Sequence, residues 1–230
     1  MTVKNPYLRV TLAMFHKDFM VEMRSREVLL TMTFFAILVV VVFTFAFYVH
    51  GDVSRQYLPG VFWVAIIFSG TISLLRTFER ERENDCIRAL LLSPTPPSAI
   101  YISKTLANIV FTLVMEACLV PIVVVFFNVG SLPDPARFLA ILFLGTIGFC
   151  AVGTLFSAML INARMKAVLL PLIFYPVIAP LLITCVKATF SIFAGGDVDQ
   201  INRWLTMALA FDMLFIVLGL WVFGHLVGEG

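Results

Sequence analysis

Six apolar runs, each near the length that carries a helix across a bilayer, decide most of what this chain can fold into. They cover about residues 28–49, 58–75, 98–127, 138–161, 168–186 and 205–227. A hydrocarbon core about 30 Å thick needs roughly 20 residues of helix to cross it. Inside it every backbone N–H and C=O must be satisfied by the protein itself, which a helix achieves and an open strand does not. The alternating segments of about 10 residues that mark a transmembrane barrel are absent. Composition agrees: 61% of the 230 residues are hydrophobic and 13% are charged, against about 25% charge in an ordinary soluble domain. The chain therefore reads as all-α, with lipid as its solvent. The first run follows a charged segment and is long enough to be permanent, so it does not read as a cleaved signal peptide.

Orientation follows from where Lys and Arg fall. Twelve of the sixteen basic residues lie before the first span, between the second and third, or between the fourth and fifth. The other side holds Arg55, Arg137, Lys187 and Arg203. On this assignment no basic residue falls inside a span, Lys104 belongs to the second connecting loop, and both termini are cytoplasmic.

Residues 1–27 form a separate unit. Leu8, Leu12, Phe15, Phe19 and Met23 recur at helical spacing, with Lys17 and Arg24 roughly opposite. This predicts an amphipathic helix on the cytoplasmic membrane surface. Glu22 sits beside the stripe and interrupts it slightly. Residues 28–230 then form the transmembrane domain. Its third span, at 30 residues, would be about 45 Å long, so it projects or tilts, and Pro121 is placed to kink it. The fifth span carries Pro171, Pro176 and Pro180. Each removes a helical donor, which predicts a kinked span packed inside the bundle. Residues 187–204 read either as a re-entrant turn or as a surface loop. Trp63, Trp204 and Trp221 suit anchoring at the membrane interface.

The chemistry-bearing residues are few. Cys86, Cys118, Cys150 and Cys185 lack metal or redox spacing. No basic tract suits nucleic acid. A phosphate-cradling loop needs GxxxxGK[ST]; Gly148 and Gly153 have the interval, but Thr154 stands where Lys is required. That pair reads as helix packing, and any ATPase lies on another polypeptide. No nucleophile–base pair or metal cluster suggests an enzyme. Glu116 and Asp212 lie within spans, where a charge is costly and marks an interior or functional position. His16, His50 and His225 are the histidines. Haem iron takes His, Met, Cys or Tyr ligands, and His50, at the outer end of the first span, is the weak haem-ligand candidate.

The most informative stretch is the loop 76–104, RTFERERENDCIRALLLSPTPPSAIYISK. Acidic Glu79, Glu81 and Glu83 precede Arg88 and the apolar Leu90, Leu91 and Leu92. A short helix with a charged half and an apolar tip suits docking in a groove of a soluble partner. Glu81, then Leu90-Leu91-Leu92-Ser93-Pro94, then Lys104, resembles the first cytoplasmic loop of ABC-2-type permeases, although Asp85-Cys86 stands where that family often has Gly-Thr. With KDFMVEMRSRE (17–27), LPGVFWVAIIFSG (58–70), LLLSPTP (90–96) and SKTLANIVF (103–111), nearly the whole chain is similar to the CcmB-type subunits of the cytochrome c maturation system, often called haem exporter protein B.

The resemblance implies a six-helix ABC transporter permease, ABC-2 or type V exporter-like, in the bacterial inner membrane. It implies two copies of this chain with two ATPase subunits, beside other cytochrome c maturation subunits. It further implies that 76–104 couples to the ATPase, that ATP sits on the partner, and that haem is a transported or handed-over ligand with no cofactor held tightly here. Two functions compete. One is haem export through paired copies. The other is mechanical transduction, in which ATP hydrolysis remodels a haem-loaded neighbour without transport. The scarcity of polar and ligating residues in the spans favours the second.

Overall fold

The computed structural model describes residues 6–49, 52–53, 55–79, 96–129 and 133–228. Within them are seven helices: α1 (Pro6–Ser25), α2 (Glu27–Ala46), α3 (Leu58–Arg76), α4 (Pro97–Phe126), α5 (Pro135–Met159), α6 (Lys166–Phe193) and α7 (Val198–Gly228). Apart from a two-residue antiparallel pairing of Tyr48–Val49 with Asp52–Val53, the described secondary structure is helical. α2 to α7 are each long and apolar enough to cross a membrane, and the chain is a multi-pass membrane protein. Alternating crossings put α1 and the segment after α3 at one end, called here the α1 end. The short pairing defines the opposite, hairpin end.

α3 and α5 are the central helices, with 72% of their most apolar window buried, against 33% for α2, α4 and α6 and 17% for α7. α5 packs against α3, α4, α6 and α7, and its small residues permit this. A Cβ at Gly145 would overlap the Trp63 ring, and one at Gly153 would overlap the Leu74 side chain. Close helix approach over glycines is a usual solution in membranes, where lipid supplies no hydrophobic drive between helices. Gly148 and Gly153 are thus packing residues, as their position in the fourth span suggested.

α2 presents Val28, Met32, Ala36, Val40 and Thr44 to the bundle, one residue per turn. Its N-terminus is held from outside the helix. Arg26 adopts a left-handed φ of 54°, which folds α1 back so that Glu22 Oε1 accepts the Val28 and Leu29 N–H groups at 2.8 and 3.0 Å. Glu22, an interruption in the apolar stripe, is the cap of the next helix. α1 packs chiefly on α4, which uses the surplus length of that 30-residue helix. The side of α1 nearest the bundle carries Thr11 and Glu22, while Leu8, Leu12 and Met23 stay exposed.

Four expectations need correction. Residues 187–204 are neither a re-entrant turn nor a surface loop: α6 runs to Phe193 and α7 starts at Val198. The link between them is a tight turn with Gly195 at φ +66° and Gly196 N donating to Ser191 O at 2.8 Å, a left-handed helix ending that glycine makes easy. The proline-bearing α6 is not enclosed by the bundle. Leu170, Phe174, Ile178, Leu181, Cys185 and Ile192 face inward, whereas Pro176 and Pro180 are exposed. Thr184 donates to the Pro180 carbonyl at 2.8 Å, and the helix continues through all three prolines. Basic residues do lie within helices: Lys104 is two turns into α4, Lys187 is in α6 and Arg203 in α7. Trp63 is not an interface anchor but a core residue, 2% exposed, whose Nε1 donates to Thr189 at 2.9 Å.

At the hairpin end Asp134 caps α5, accepting from Arg137 N at 3.2 Å and pairing with its guanidinium. These bonds hold the pKa of the half-buried Asp134 carboxyl below its ordinary value. Arg137 Nε also reaches Asn202 of α7 at 3.3 Å.

Candidate functional site

Two polar clusters stand out in an otherwise apolar bundle. The first lies at the α1 end and braces the helices on either side of residues 80–95. Asn108 of α4 is its hub. Its amide donates to Thr154 of α5 at 3.0 Å and Thr77 at 3.1 Å, and its carbonyl accepts from Ser73 of α3 at 2.9 Å. The last turn of a helix leaves four carbonyls without helical donors. In α3 two of these are satisfied by its neighbours: Ser157 of α5 donates to Leu74 O at 2.6 Å, and Lys166 of α6 to Leu75 O at 2.9 Å. Tyr101 of α4 donates to Ala151 O of α5 at 3.0 Å.

Lys104 extends this brace to α1. Its ammonium lies 2.9 Å from Asp18 Oδ2 and 5.5 Å from the centre of the Phe78 ring, within cation–π range. The side chain is 4% exposed, a position that requires such partners. Arg76 pairs with Glu27 at 2.5 Å, joining the end of α3 to the start of α2. Both of those side chains are exposed, so this pair adds little stability. Glu79 lines a cleft of about 190 Å³ with Phe78, Arg164 and Lys166.

The second cluster lies at mid-bundle around α5. Thr146 donates to Glu116 Oε1 of α4 at 2.7 Å, while Oε2 is buried with no partner. Asp212 of α7 lies against Gly148, close enough that a Cβ there would overlap its Oδ1. Both Asp212 oxygens are buried and unpartnered. Thr146 and Gly148, two residues apart, point about 200° apart on the helix. The two acids thus reach α5 from nearly opposite faces at almost one height. Cys185 lies within electrostatic range of both.

The other candidates are scattered. Glu81, Glu83, Arg88, Leu90, Leu91, Leu92 and His50 lie outside the described residues. His16 is exposed on α1, and His225 is in the last turns of α7. Cys150 and Cys185 are buried and free, and among the described residues no group of His, Cys, Asp and Glu could hold a metal. Sequence reasoning missed Asn108 and Asp18, and read Glu22 only as an interruption of the stripe. A signal was present for Asn108 and Lys104: both lie within an otherwise apolar helical run, where a polar side chain implies a protein partner.

Residues 9–228 match the family model for CcmB protein. Similar known proteins carry the name heme exporter protein B. That of Pseudomonas aeruginosa is 26% identical over 160 residues, covering 70% of this chain and 71% of that protein. That of Paracoccus denitrificans is 30% identical over 150 residues, covering 64% and 67%. That of Haemophilus influenzae is 25% identical over 174 residues, covering 76% and 78%.

Proposed function

The chain belongs to the CcmB family, and from that premise we propose that it is the membrane-spanning component of a haem-export system of the ABC type, driven by a separate ATPase. On this reading it sits in the bacterial inner membrane with both termini cytoplasmic, an orientation supported by the twelve basic residues at the α1 end. α1 rests on the cytoplasmic membrane surface with Leu8, Leu12 and Met23 toward lipid. Two copies pair with two ATPases beside other cytochrome c maturation subunits.

The observation that carries this reading is the brace at the α1 end. Residues 80–95 connect α3 to α4 in sequence, and polar bonds tie α4 to α5 and α3 to both α5 and α6. A push on that segment reaches the whole bundle. Within the loop 76–104, Glu79, Glu81, Glu83 and Arg88 supply the charged half and Leu90, Leu91 and Leu92 the tip that enters the ATPase. Leu91→Asp puts a charge into that apolar contact. It is expected to release the ATPase on copurification and to abolish cytochrome c maturation, while the thermal transition of the membrane subunit stays unchanged. Full copurification with full maturation would refute the docking role.

The packing favours the mechanical reading over a path through one copy. Glu116, Asp212 and Thr146 are at most 2% exposed, so a conduit inside a single bundle would cross a filled layer. The discriminating measurement is ATP-dependent haem uptake into inverted vesicles holding the purified complex without its haem-binding neighbours. Uptake establishes a path between the copies. ATP hydrolysis without uptake assigns export to the neighbours.

A further inference from the structure

At the hairpin end an open groove of about 360 Å³ runs between α2, α3 and α6. Phe43 of α2 and Phe47 just after it, Val61 and Val64 of α3, and Val186 and Phe190 of α6 form its apolar walls. Gly60 lines it too, and a Cβ there would meet nothing within 4 Å. The polar residues on the groove are Gln56, Tyr57 and Lys187. Tyr57 stacks on Phe47 with ring centres 4.4 Å apart.

Depth fixes what this combination can hold. Lys166 opens α6 and Lys187 lies 21 residues further along it, a rise of about 31 Å. That matches a hydrocarbon core about 30 Å thick, so Lys187 stands at headgroup level. Gln56 and Tyr57, just before α3 begins, share that level, and Val61 and Val64 lie deeper. Lys187 is exposed and has no ion-pair partner among the described residues. A cationic rim above an apolar throat complements one anionic head and one hydrocarbon tail.

We propose that this groove is a binding site for an anionic phospholipid of the leaflet at the hairpin end, with the phosphate on Lys187 and an acyl chain lying over Gly60. Haem is also an amphiphilic anion, but it fits less well. Among the described residues no His, Met or Cys lines the groove, and the one there of a type that ligates haem iron is Tyr57, whose ring is engaged with Phe47. The inference does not depend on what the subunit exports.

Native mass spectrometry of the purified complex, supplied with equal amounts of phosphatidylglycerol and phosphatidylcholine, tests it. The wild type is expected to retain phosphatidylglycerol about fivefold over phosphatidylcholine, the size of one lysine's pull at a membrane surface. Lys187→Gln is expected to bring that ratio close to one. Gly60→Leu, which fills the groove, is expected to lower retention of both lipids with no loss of thermal stability. An unchanged ratio in Lys187→Gln overturns the proposal. So does full lipid retention in Gly60→Leu. Haemin that displaces lipid from the wild type but not from Lys187→Gln also overturns it, and gives the groove to haem.

Discussion

The joint between α1 and α2 rests on one carboxylate, and removing it should loosen the whole N-terminal unit. Glu22 Oε1 accepts the N–H groups of the second and third residues of α2 at 2.8 and 3.0 Å. These are the two donors that a Ser or Asp at the cap position would take. Arg26 occupies that position and supplies no side-chain cap. Losing a cap of this kind costs about 1 kcal/mol, and losing an anion at a partly buried helix N-terminus costs up to about 2 kcal/mol. Glu22 is 3% exposed, so water does not readily replace it. Glu22→Ala should therefore cost about 2–3 kcal/mol. For a chain of this size that corresponds to a thermal shift of roughly 5–10 °C. Glu22→Gln keeps an acceptor oxygen without the charge and should lose about half as much. Thermal unfolding in lipid nanodiscs gives the totals, and hydrogen exchange at the Val28 and Leu29 amides localises them. A Gln variant as unstable as the Ala variant, or an Ala variant within about 0.5 kcal/mol of wild type, would refute the capping argument. Unchanged protection at Val28 and Leu29 would do the same.

Two other substitutions test the packing and the brace. Gly148→Ala pushes a methyl into Asp212 and Leu181 and should cost about 1–3 kcal/mol; Gly60→Ala, facing open space, should lose nothing and gain up to about 1 kcal/mol from helix propensity. Equal effects of the two in thermal unfolding would contradict the described approach of α7 to α5. Asn108→Leu removes bonds to three partners, and at about 0.6 kcal/mol for each interhelical bond in a membrane it should cost roughly 2 kcal/mol. Its effect on cytochrome c maturation should exceed that of Thr154→Val, which removes only one of those bonds, and comparable losses in the two variants would count against Asn108 as the hub.

The number of spans and their order were legible because bilayer thickness sets a length that no soluble fold requires. Which face of each span meets protein was much less legible, and the reason is physical. In water an apolar stripe marks the buried side. In lipid both sides are apolar, so Leu172 and Ile183 of α6, both exposed, look in sequence like Phe174 and Leu181, both buried. The prolines of α6 were read inward on the argument that freed carbonyls need protein partners. Pro180 frees the Pro176 carbonyl, yet both residues stand exposed and the helix runs on past them, so such a carbonyl is tolerated here without enclosure. Polar and small residues carry the missing information: Asn108, Thr146, Gly145, Gly148 and Gly153 all face protein. Lys104 shows the opposite hazard. Counted as a loop cation, it is correct for the end of the bundle on which it lies and wrong for its environment.

The same small and polar residues make α5 the element through which force would spread. At the α1 end it receives bonds from Asn108 to Thr154 and from Tyr101 to Ala151 O, and its Ser157 donates to Leu74 O. At mid-bundle it meets Glu116 through Thr146 and Asp212 at Gly148. It also contacts α3, α4, α6 and α7, so a displacement of its α1 end is shared by four helices. The orphan oxygens of Glu116 and Asp212 then gain meaning. A buried acceptor left unsatisfied costs about 1–3 kcal/mol, so the layer where the two acids meet α5 carries a cost that the polar bonds at the α1 end do not.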